Sequence, residues 1–289
     1  MRVERQHREN LKCEEYMQNS IISFIGAGNM ASSLIKGLLK EKYPSKNIWA
    51  ANNNIEQLNK LKNLNINLTA DNRYAVQMAN IVVLAVKPQI LKTVVIEIAD
   101  LIQEKKSLTI SLAVGINLEN IALYLSNQSS AIIRCMPNTP ALIGYGATGL
   151  FANQNCSSSQ KNAAESIFRS VGTIVWLPKE EQIDVVAALS GSGPAYFFFF
   201  MEALEKAAVE LGLSKENANS LTLQTALGSA RMAFDGKKSL AELRQQVTSP
   251  GGTTERALKS LNSNHFADII KKALKEAKNR AEEIAKNLK

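Results

Sequence analysis

Residues 21–31 read IISFIGAGNMA, and this stretch decides the fold of the chain. Four of its first five residues are bulky and apolar, as in a buried strand, whereas the glycines that follow suit a turn. Gly26 permits a tight turn, Gly28 lets the backbone approach a bulky anion, and Ala31 lets the next helix pack closely on the sheet. The G-x-G-x-x-A spacing between a predicted strand and a predicted helix indicates a dinucleotide-binding turn, with a plain strand-to-helix turn as the alternative.

Length and composition are those of an ordinary globular protein. The 289 residues suffice for one large or two ordinary domains, and 45% of them are hydrophobic and 21% charged. The net charge of +8 comes partly from a last helix rich in Lys and Arg, and no basic stripe is interleaved with aromatic residues. We therefore expect no nucleic-acid partner and an attraction for small anions instead.

The cysteines and histidines limit the redox and metal chemistry that the chain can perform. Cys13, Cys135 and Cys156 lack C-x-x-C spacing and are odd in number, which argues against a disulfide scaffold and favours a reducing, cytoplasmic location. The two histidines, His7 and His265, are too few and too isolated for a metal site, so no metal is expected. No stretch reads as long and apolar enough to span a membrane, so no membrane contact is expected.

The pattern of elements divides the chain into three parts. Residues 1–20 are polar, lack the apolar core of a secretory signal and are expected to form a disordered tail. Residues 21–178 alternate apolar runs with helical patterns, which predicts an NADP-binding domain with a Rossmann-type, doubly wound parallel sheet. Strand patterns are absent from residues 179–289, whose apolar helices predict an all-helical dimerisation domain. The predicted fold class is therefore α/β with a helical C-terminal domain.

The ends of the predicted strands carry the candidate cofactor residues. In a doubly wound sheet, ligands bind beyond the carboxyl ends of the strands, which is where three segments fall: Lys87-Pro88, Gly115 and Pro137-Asn138. The second strand ends in the neutral residues Asn52, Asn53 and Asn54, at a position where an acid would repel the 2′-phosphate of NADP. NADP is therefore favoured over NAD.

A second candidate site lies in the helical half, at residues 248–254, which read TSPGGTT. The loop has two glycines, a proline and several hydroxyl side chains, and it leads directly into a helix. It can offer backbone N–H groups and hydroxyls to an anion such as a carboxylate, but an ordinary helix-to-helix turn with a Thr cap explains the composition equally well. Residues 190–194, SGSGP, are interpreted as a structural turn.

No side chain of the helical half suggests the acid or base that oxidation of an alcohol requires. His265 reads as a cap or surface residue, and Lys206 and Lys215 lie beside acids on solvated helix faces. Lys87 reads equally as a ligand contact and as a charge at the rim. An enzyme that reduces an already protonated C=N bond needs no strong acid, because the iminium is activated and the protein has only to position it and hold its carboxylate. The missing base therefore favours imine reduction.

Five segments in order resemble the pyrroline-5-carboxylate reductase family: GAGNMA (26–31), AVKPQ (85–89), RCMPNTP (134–140), ALSGSGPAYFF (188–198) and VTSPGGTT (247–254). The resemblance covers residues 21–261, and the last two segments are specific to the family. It implies hydride transfer from NADPH, with NADH possible, to the C=N bond of Δ1-pyrroline-5-carboxylate, which gives L-proline in the last step of proline biosynthesis. It also implies a homodimer, or a larger ring such as a decamer.

The turn, the strand ends and the resemblance together predict cofactor contacts from Gly26, Ala27, Gly28, Asn29, Met30, Asn52, Asn53, Asn72, Ala85, Val86, Lys87, Pro88, Ala113, Gly115, Pro137 and Asn138. The resemblance implies substrate contacts from Ser249, Gly251, Gly252, Thr253, Thr254, Pro194 and Lys87. It makes Ser249 and Thr254 the candidate catalytic residues, with Ser249 holding the carboxylate and the Thr254 hydroxyl facing the imine nitrogen.

Two other functions remain open from the sequence. A β-hydroxyacid or ketopantoate-type reductase shares the two-domain plan, but it needs a catalytic Lys on the helical domain and no such Lys stands out. A non-enzymatic NADP-sensing regulator would use the same cofactor domain, but it has no need of a second anion site in the helical half.

Overall fold

The computed structural model describes residue 17 and residues 19–287. Contacts between residues divide the chain into two compact units. The first unit runs to Ser192 and also includes the chain from Ala277 onward, and the second is Gly193–Glu276. By contacts, residues 179–192 thus group with the sheet, and the functional boundary expected after residue 178 stays a prediction.

An eight-stranded sheet forms the first unit, in the spatial order β3-β2-β1-β4-β5-β6-β7-β8. The strands are β1 (Ile22–Ile25), β2 (Ile48–Ala51), β3 (Asn67–Thr69), β4 (Ile81–Leu84), β5 (Leu108–Ser111), β6 (Ile132–Met136), β7 (Gly146–Ala152) and β8 (Gly172–Trp176). The first six are parallel, and their order is that of the dinucleotide-binding fold, with the topological switch point between β1 and β4. The predicted doubly wound α/β class is confirmed.

Twelve helices are described here, and seven of them belong to the first unit. These seven are α1 (Asn29–Lys40), α2 (Ile55–Asn59), α3 (Asn72–Gln77), α4 (Pro88–Lys105), α5 (Leu118–Tyr124), α6 (Ser158–Arg169) and α7 (Gln182–Val186). The others are α8 (Gly193–Glu210), α9 (Lys215–Asp235), α10 (Leu240–Gln246), α11 (Thr253–Ser263) and α12 (Phe266–Asn287). Two of these helices begin with a capping box, Ser157 with Gln160 at α6 and Ser239 with Glu242 at α10.

The central strands β1, β4 and β5 are buried on both faces of the sheet, and alternate residues of β1 and β4 belong to different cores. In β1, Phe24 packs in the same cluster as Leu34 of α1, whereas Ile25 packs in the cluster that contains Leu91 of α4. The residues of β4 divide between the two clusters in the same way. Burial on both faces explains why the strands read as continuous apolar runs.

β7 is the exception in the predicted parallel sheet, and the sequence pattern does not predict this strand. β7 reads GATGLFA, pairs antiparallel with β6 and parallel with β8, and is too rich in small residues for a strand signal. Two of its glycines are explained by close packing. A Cβ on Gly149 would lie 2.9 Å from Cγ1 of Val186, and one on Gly146 would lie 2.9 Å from Cβ of Ala141.

The structural turn expected at residues 190–194 is also wrong. Residues Ala187–Gly191 form a π-helical turn that continues α7 toward α8. The resulting helical stretch Gln182–Glu210 is long and apolar enough, by length and composition, to cross a membrane, so the expectation that no stretch would qualify is wrong as well. Only 22% of its most apolar window is buried.

The second unit leaves much of its apolar surface uncovered within one chain. The four phenylalanines 197–200 of α8 are 70%, 64%, 74% and 45% exposed, and Gly193 is the one residue of α8 that is buried. Leu227 of α9 is 64% exposed. A surface of this kind normally contacts a partner.

Part of the segment expected to be a disordered tail lies outside the described residues. Of its described members, Met17 packs in the core and Ser20 is buried. The Tyr43 hydroxyl donates hydrogen bonds to both of their carbonyl oxygens, at 3.1 Å for Met17. These two residues therefore belong to the folded part of the chain.

Candidate active site

The turn after β1 lies directly against the segment that follows β4. Gly26 has φ +97°, and a Cβ placed on it would lie 2.6 Å from the Ala85 carbonyl oxygen. The Gly26 N–H donates to Ala51 O at 2.9 Å, and the Ala85 N–H donates to Ile25 O at 2.8 Å. Only glycine fits here, on both conformational and steric grounds.

The N-terminus of α1 follows this turn and suits a phosphate group. Gly28 is the N-cap residue, no side chain caps the helix, and its first turn carries no acid. A Cβ on Gly28 would meet no atom within 4 Å, so the space above the helix end is open. The unbonded N–H groups and the positive end of the helix dipole therefore fit the pyrophosphate of a dinucleotide.

The three asparagines after β2 have different roles. Asn54 caps α2, since its side-chain oxygen accepts from the N–H of Glu56 at 2.9 Å, and its own N–H donates to Asn52 Oδ1 at 2.9 Å. Asn52 is half-buried and Asn53 is exposed. The predicted ribose-phosphate contacts Asn52 and Asn53 thus flank the sheet edge, whereas Asn54 has a structural task.

Asn72 opens α3, and its amide donates to Glu97 Oε2 at 3.3 Å. At the end of β4, exposed Lys87 is the N-cap of α4 and Pro88 occupies its first turn, while Ala85 and Val86 are half-buried beside the Gly26 turn. The predicted cofactor contacts that follow β4 therefore lie next to the switch point between β1 and β4.

The segment after β5 contains Ala113, which is buried, and Gly115, which has φ +78°. A Cβ on Gly115 would lie 3.0 Å from the Ala285 nitrogen of α12. The close approach of α12 accounts for a glycine at this position, independently of any cofactor contact.

The segment after β6 is held by the Asn138 side chain, which is buried. Its amide nitrogen donates to Ser190 O at 3.0 Å, and its oxygen accepts from the Ala147 N–H at 2.8 Å. Pro137 next to it is buried as well. Asn138 therefore fixes the shape of the loop through its side chain.

One ionic cluster in the first unit escapes the sequence reasoning. Arg134 of β6 is 4% exposed and pairs with Glu180 at 2.8 Å and with Asp184 at 3.5 Å. Burial raises the pKa of the Asp184 carboxyl, and the charge and hydrogen bond of Arg134 oppose that rise. A cavity of about 270 Å³ opens beside the cluster. The only signal in the sequence is an arginine within the apolar run AIIRCM.

In the second unit, the loop 248–252 is shaped by hydrogen bonds of its own. The Thr248 hydroxyl donates to Arg244 O at 2.7 Å, and the Gly252 N–H donates to Ser249 O at 3.0 Å. Gly251 has φ +72°, and its N–H donates to Glu255 Oε2 at 2.8 Å. The sequence reasoning missed this role of Glu255.

The loop leads directly into α11, and no side chain caps the first backbone N–H groups of that helix. Gly252 is the N-cap residue and no side chain caps the helix, which starts at Thr253 and Thr254. Ser249, Gly251 and Thr253 are exposed, whereas Thr254 is half-buried. Backbone N–H groups at such a helix start can receive a carboxylate.

Three further candidate residues lie in the helical part of the chain. Pro194 is half-buried in the first turn of α8. Lys206 pairs with Glu202 at 2.6 Å on an exposed face, and His265 is 79% exposed with its Nδ1 3.5 Å from Asp268 Oδ2. Neither side chain is enclosed in a site where it would act as a proton donor.

The two described cysteines are free thiols in the first unit. Cys135 and Cys156 are buried, and burial raises the pKa of the Cys156 thiol to about 11. Both are therefore packing residues at neutral pH. Cys13 and His7 lie outside the described residues.

Comparisons with known proteins agree with this geometry. Residues 180–284 match the family model for pyrroline-5-carboxylate reductase dimerisation, and residues 21–115 match the model for coenzyme F420-dependent NADP oxidoreductases. A pyrroline-5-carboxylate reductase from Pseudomonas aeruginosa is 45% identical over 273 residues, which cover 94% of this chain and 99% of the relative.

Two solved structures support the same relationship. A pyrroline-5-carboxylate reductase from Coxiella burnetii is 49% identical with a TM-score of 0.88, covering 92% of this chain and 98% of that one. A Plasmodium falciparum pyrroline carboxylate reductase with NADP bound is 31% identical with a TM-score of 0.82, covering 93% of this chain and 99% of that one.

Fold, turn and comparisons define an NADP-dependent oxidoreductase with a Rossmann-type sheet and a helical dimerisation region. Within that class, the chain belongs to the pyrroline-5-carboxylate reductase family, because the similarity extends over nearly the full length of both proteins.

The fit at the switch point generates a first prediction. Gly26→Ala is expected to weaken NADPH binding at least about tenfold, because the methyl group would clash with the Ala85 carbonyl and the residue would be strained by about 1–2 kcal/mol at positive φ. Fluorescence titration with NADPH measures the affinity. Gly212→Ala is the matched control, since Gly212 has φ +107° but open space around it, and should leave the affinity unchanged. Equal NADPH affinity in native protein and Gly26→Ala would contradict the prediction.

Proposed function

We propose that the protein reduces the C=N bond of Δ1-pyrroline-5-carboxylate to L-proline with NADPH, as the last step of proline biosynthesis in the cytoplasm. The observation that carries the proposal is the presence, in one family member, of two helix starts that have a glycine N-cap and no side-chain cap. One is the start of α1 after the Gly26 turn, and the other is the start of α11. A bound nucleotide and a substrate carboxylate are the ligands that these two features fit.

The cofactor part of the proposal assigns residues 21–178 as the NADP-binding domain. Gly26 would supply the tight turn, since its N–H is bonded to Ala51 O, and the N–H groups from Ala27 to Met30 would hold the pyrophosphate. Asn52 and Asn53 would meet the 2′-phosphate without an opposing acid at their own positions. The segments after β4, β5 and β6 would line the nicotinamide half, with contacts from Ala85, Val86, Lys87, Pro88, Ala113, Gly115, Pro137 and Asn138, while Asn72 would lie along the cofactor. When bound, NADPH supplies the hydride.

The substrate part assigns residues 179–289 as the dimerisation and substrate domain. Ser249 and the Thr253 N–H would hold the carboxylate, and Gly251 and Gly252, whose own N–H groups are bonded to Glu255 Oε2 and Ser249 O, would contact the substrate through their backbone. Pro194 and Lys87 are the other proposed substrate contacts. The Thr254 hydroxyl would face the ring nitrogen and keep the imine in line. No strong acid is required, because a protonated imine is already electrophilic.

Self-association is part of the proposal. The match to a dimerisation family model and the exposed apolar surface of α8 and α9 support a homodimer, and a larger ring such as a decamer would be built from such dimers. The helical stretch Gln182–Glu210, which is long and apolar enough to cross a membrane, would then be covered by protein rather than by lipid. No nucleic acid, membrane or metal enters the proposed function.

The direct test is the oxidation of NADPH, and separately of NADH, on addition of Δ1-pyrroline-5-carboxylate to purified protein. We expect rapid loss of NADPH absorbance with stoichiometric appearance of proline, and slower loss with NADH. Bound NADPH without turnover would favour an NADP-sensing regulator. Turnover of a β-hydroxyacid or ketopantoate-type substrate in place of the imine would favour the other reductase class. Either outcome would overturn the proposal.

Substitutions in the loop should separate substrate binding from turnover. Ser249→Ala is expected to raise KM for the imine by about tenfold with little change in kcat, because it removes a carboxylate contact present in ground and transition states alike. Thr254→Ala is expected to lower kcat by about tenfold or more, because it removes a contact to the reacting nitrogen. NADPH affinity should stay near the native value in both variants. Full activity of Thr254→Ala would contradict the role of its hydroxyl.

The dimer proposal predicts the mass of the particle in solution. Sedimentation equilibrium should give at least twice the 31.6 kDa of one chain. Phe199→Asp should shift the mass toward the monomer, because it places a charge in an apolar interface. Lys206→Gln, also exposed on α8, is the control that should keep the native mass. A native protein that sediments as a monomer would contradict the proposal.

A further inference from the structure

We propose that Glu180 and Arg134 are positioning residues for the nicotinamide half of the cofactor site. Their buried ion pair joins the segments that follow β5 and β6. The inference rests on the proposed function in that it takes NADPH as the cofactor. It assigns a task to a cluster that lies outside the turn and the loop described above.

One oxygen atom makes the connection. Glu180 Oε1 accepts from the Leu118 N–H at 2.7 Å and from Arg134 Nη1 at 2.8 Å. Leu118 opens α5 just after the segment that contains Ala113 and Gly115, and Arg134 lies on β6 just before the segment that contains Pro137 and Asn138. Glu180 therefore fixes the distance between the bases of two neighbouring loops.

The burial of the cluster makes this connection stiff and costly to remove. The side chains of Arg134, Glu180 and Asp184 are 4%, 22% and 16% exposed. The buried Nε of Arg134 has no hydrogen-bond partner in the part of the chain that the structure describes, so the guanidinium depends on these carboxylates. Loss of Glu180 would leave a buried charge and the Leu118 N–H without this acceptor, and the loops would shift to recover partners.

The helical segment that starts beside Glu180 is attached to the β6 loop at its other end too. Asn138 donates to Ser190 O at 3.0 Å, and a Cβ on Gly191 would lie 2.5 Å from Cε of Met136. We call residues 180–191 the brace. The brace thus contacts β6 through Glu180 and the first residues after β6 through Ser190, which holds the start of the loop at two points.

The adenosine half of the sheet is held by different bonds. The Gly26 N–H donates to Ala51 O at 2.9 Å, and the Asn52 N–H donates to Thr69 O at 3.2 Å, so β1, β2 and β3 support that half. In this fold the two halves of the dinucleotide lie over the two halves of the sheet. A defect in the brace should therefore affect the nicotinamide half and spare the adenosine half.

The experiment compares two ligands and two kinetic readouts. Binding of NADPH and of 2′,5′-ADP, which contains only the adenosine half, is measured by calorimetry for native protein, Glu180→Ala and Glu180→Gln. The steady-state kcat and KM for the imine and the isotope effect with 4-deuterated NADPH are measured on the same proteins. Asp100→Asn is the control, because it removes an ion pair with Arg73 that is exposed on the same unit.

For Glu180→Ala we expect kcat to fall by about tenfold or more and NADPH to bind about three- to tenfold more weakly. The isotope effect should rise as hydride transfer becomes limiting, and the affinity for 2′,5′-ADP should stay within about twofold of native. Glu180→Gln keeps an acceptor for Leu118 and should lie between native and Glu180→Ala. Asp100→Asn should match the native protein in all readouts.

Three outcomes would overturn the inference. If Glu180→Ala keeps the native kcat and NADPH affinity, the brace does not position the nicotinamide half of the cofactor site. Equal weakening of NADPH and 2′,5′-ADP would show a general loss of structure. If Glu180→Ala does not fold, Glu180→Met combined with Arg134→Met removes both charges together, and retention of native kcat by that variant would be equally decisive.

Failure of the proposed reaction is distinguishable from failure of this inference. The two binding measurements need no turnover. A protein that does not reduce the imine, but whose Glu180→Ala variant loses affinity for NADPH and not for 2′,5′-ADP, would disprove the reaction and uphold the positioning role.

Discussion

The approach of the Gly26 turn to the Ala85 carbonyl is the constraint on which the rest of the structure depends. β1 and β4 are neighbours in the sheet although two other strands lie between them in the chain, so the turn after β1 must pass close to the end of β4. A side chain at residue 26 would be 2.6 Å from that carbonyl, so glycine is what allows the two halves of the sheet to meet.

The sequence predicts most of the sheet because its strands are buried on both faces. Runs such as IVVL in β4 and LTIS in β5 have all their residues buried, and this leaves a signal that needs no tertiary information. Some helix starts are also predictable from the sequence, because the capping boxes at Ser157 and Ser239 form between residues only three apart. Local physics suffices for these features.

The features that the sequence hides depend on distant partners. β7 is a strand because β6 and β8 pair with it, and its Gly149 is small because Val186 packs on it. The contact of Glu180 with Leu118 also joins positions far apart in the chain. In the candidate site, residue types identified the turn and the loop, but the role of Glu255 on Gly251 and of Asn54 on α2 required coordinates of the side chains.

The two proposed ligand sites use the same physical device for different anions. At α1 and at α11 a glycine is the N-cap, no side chain caps the helix, and the first N–H groups remain available. Such donors are fixed dipoles, so they need no proton transfer and little reorganisation when a ligand binds. Among the described residues, burial is the main cause of a raised pKa at Cys135, Cys156 and Asp184, which lie on or beside the sheet and outside the loop at α11. Hydride transfer to a protonated imine requires alignment more than acid catalysis, and fixed dipoles at helix starts are suited to supply alignment.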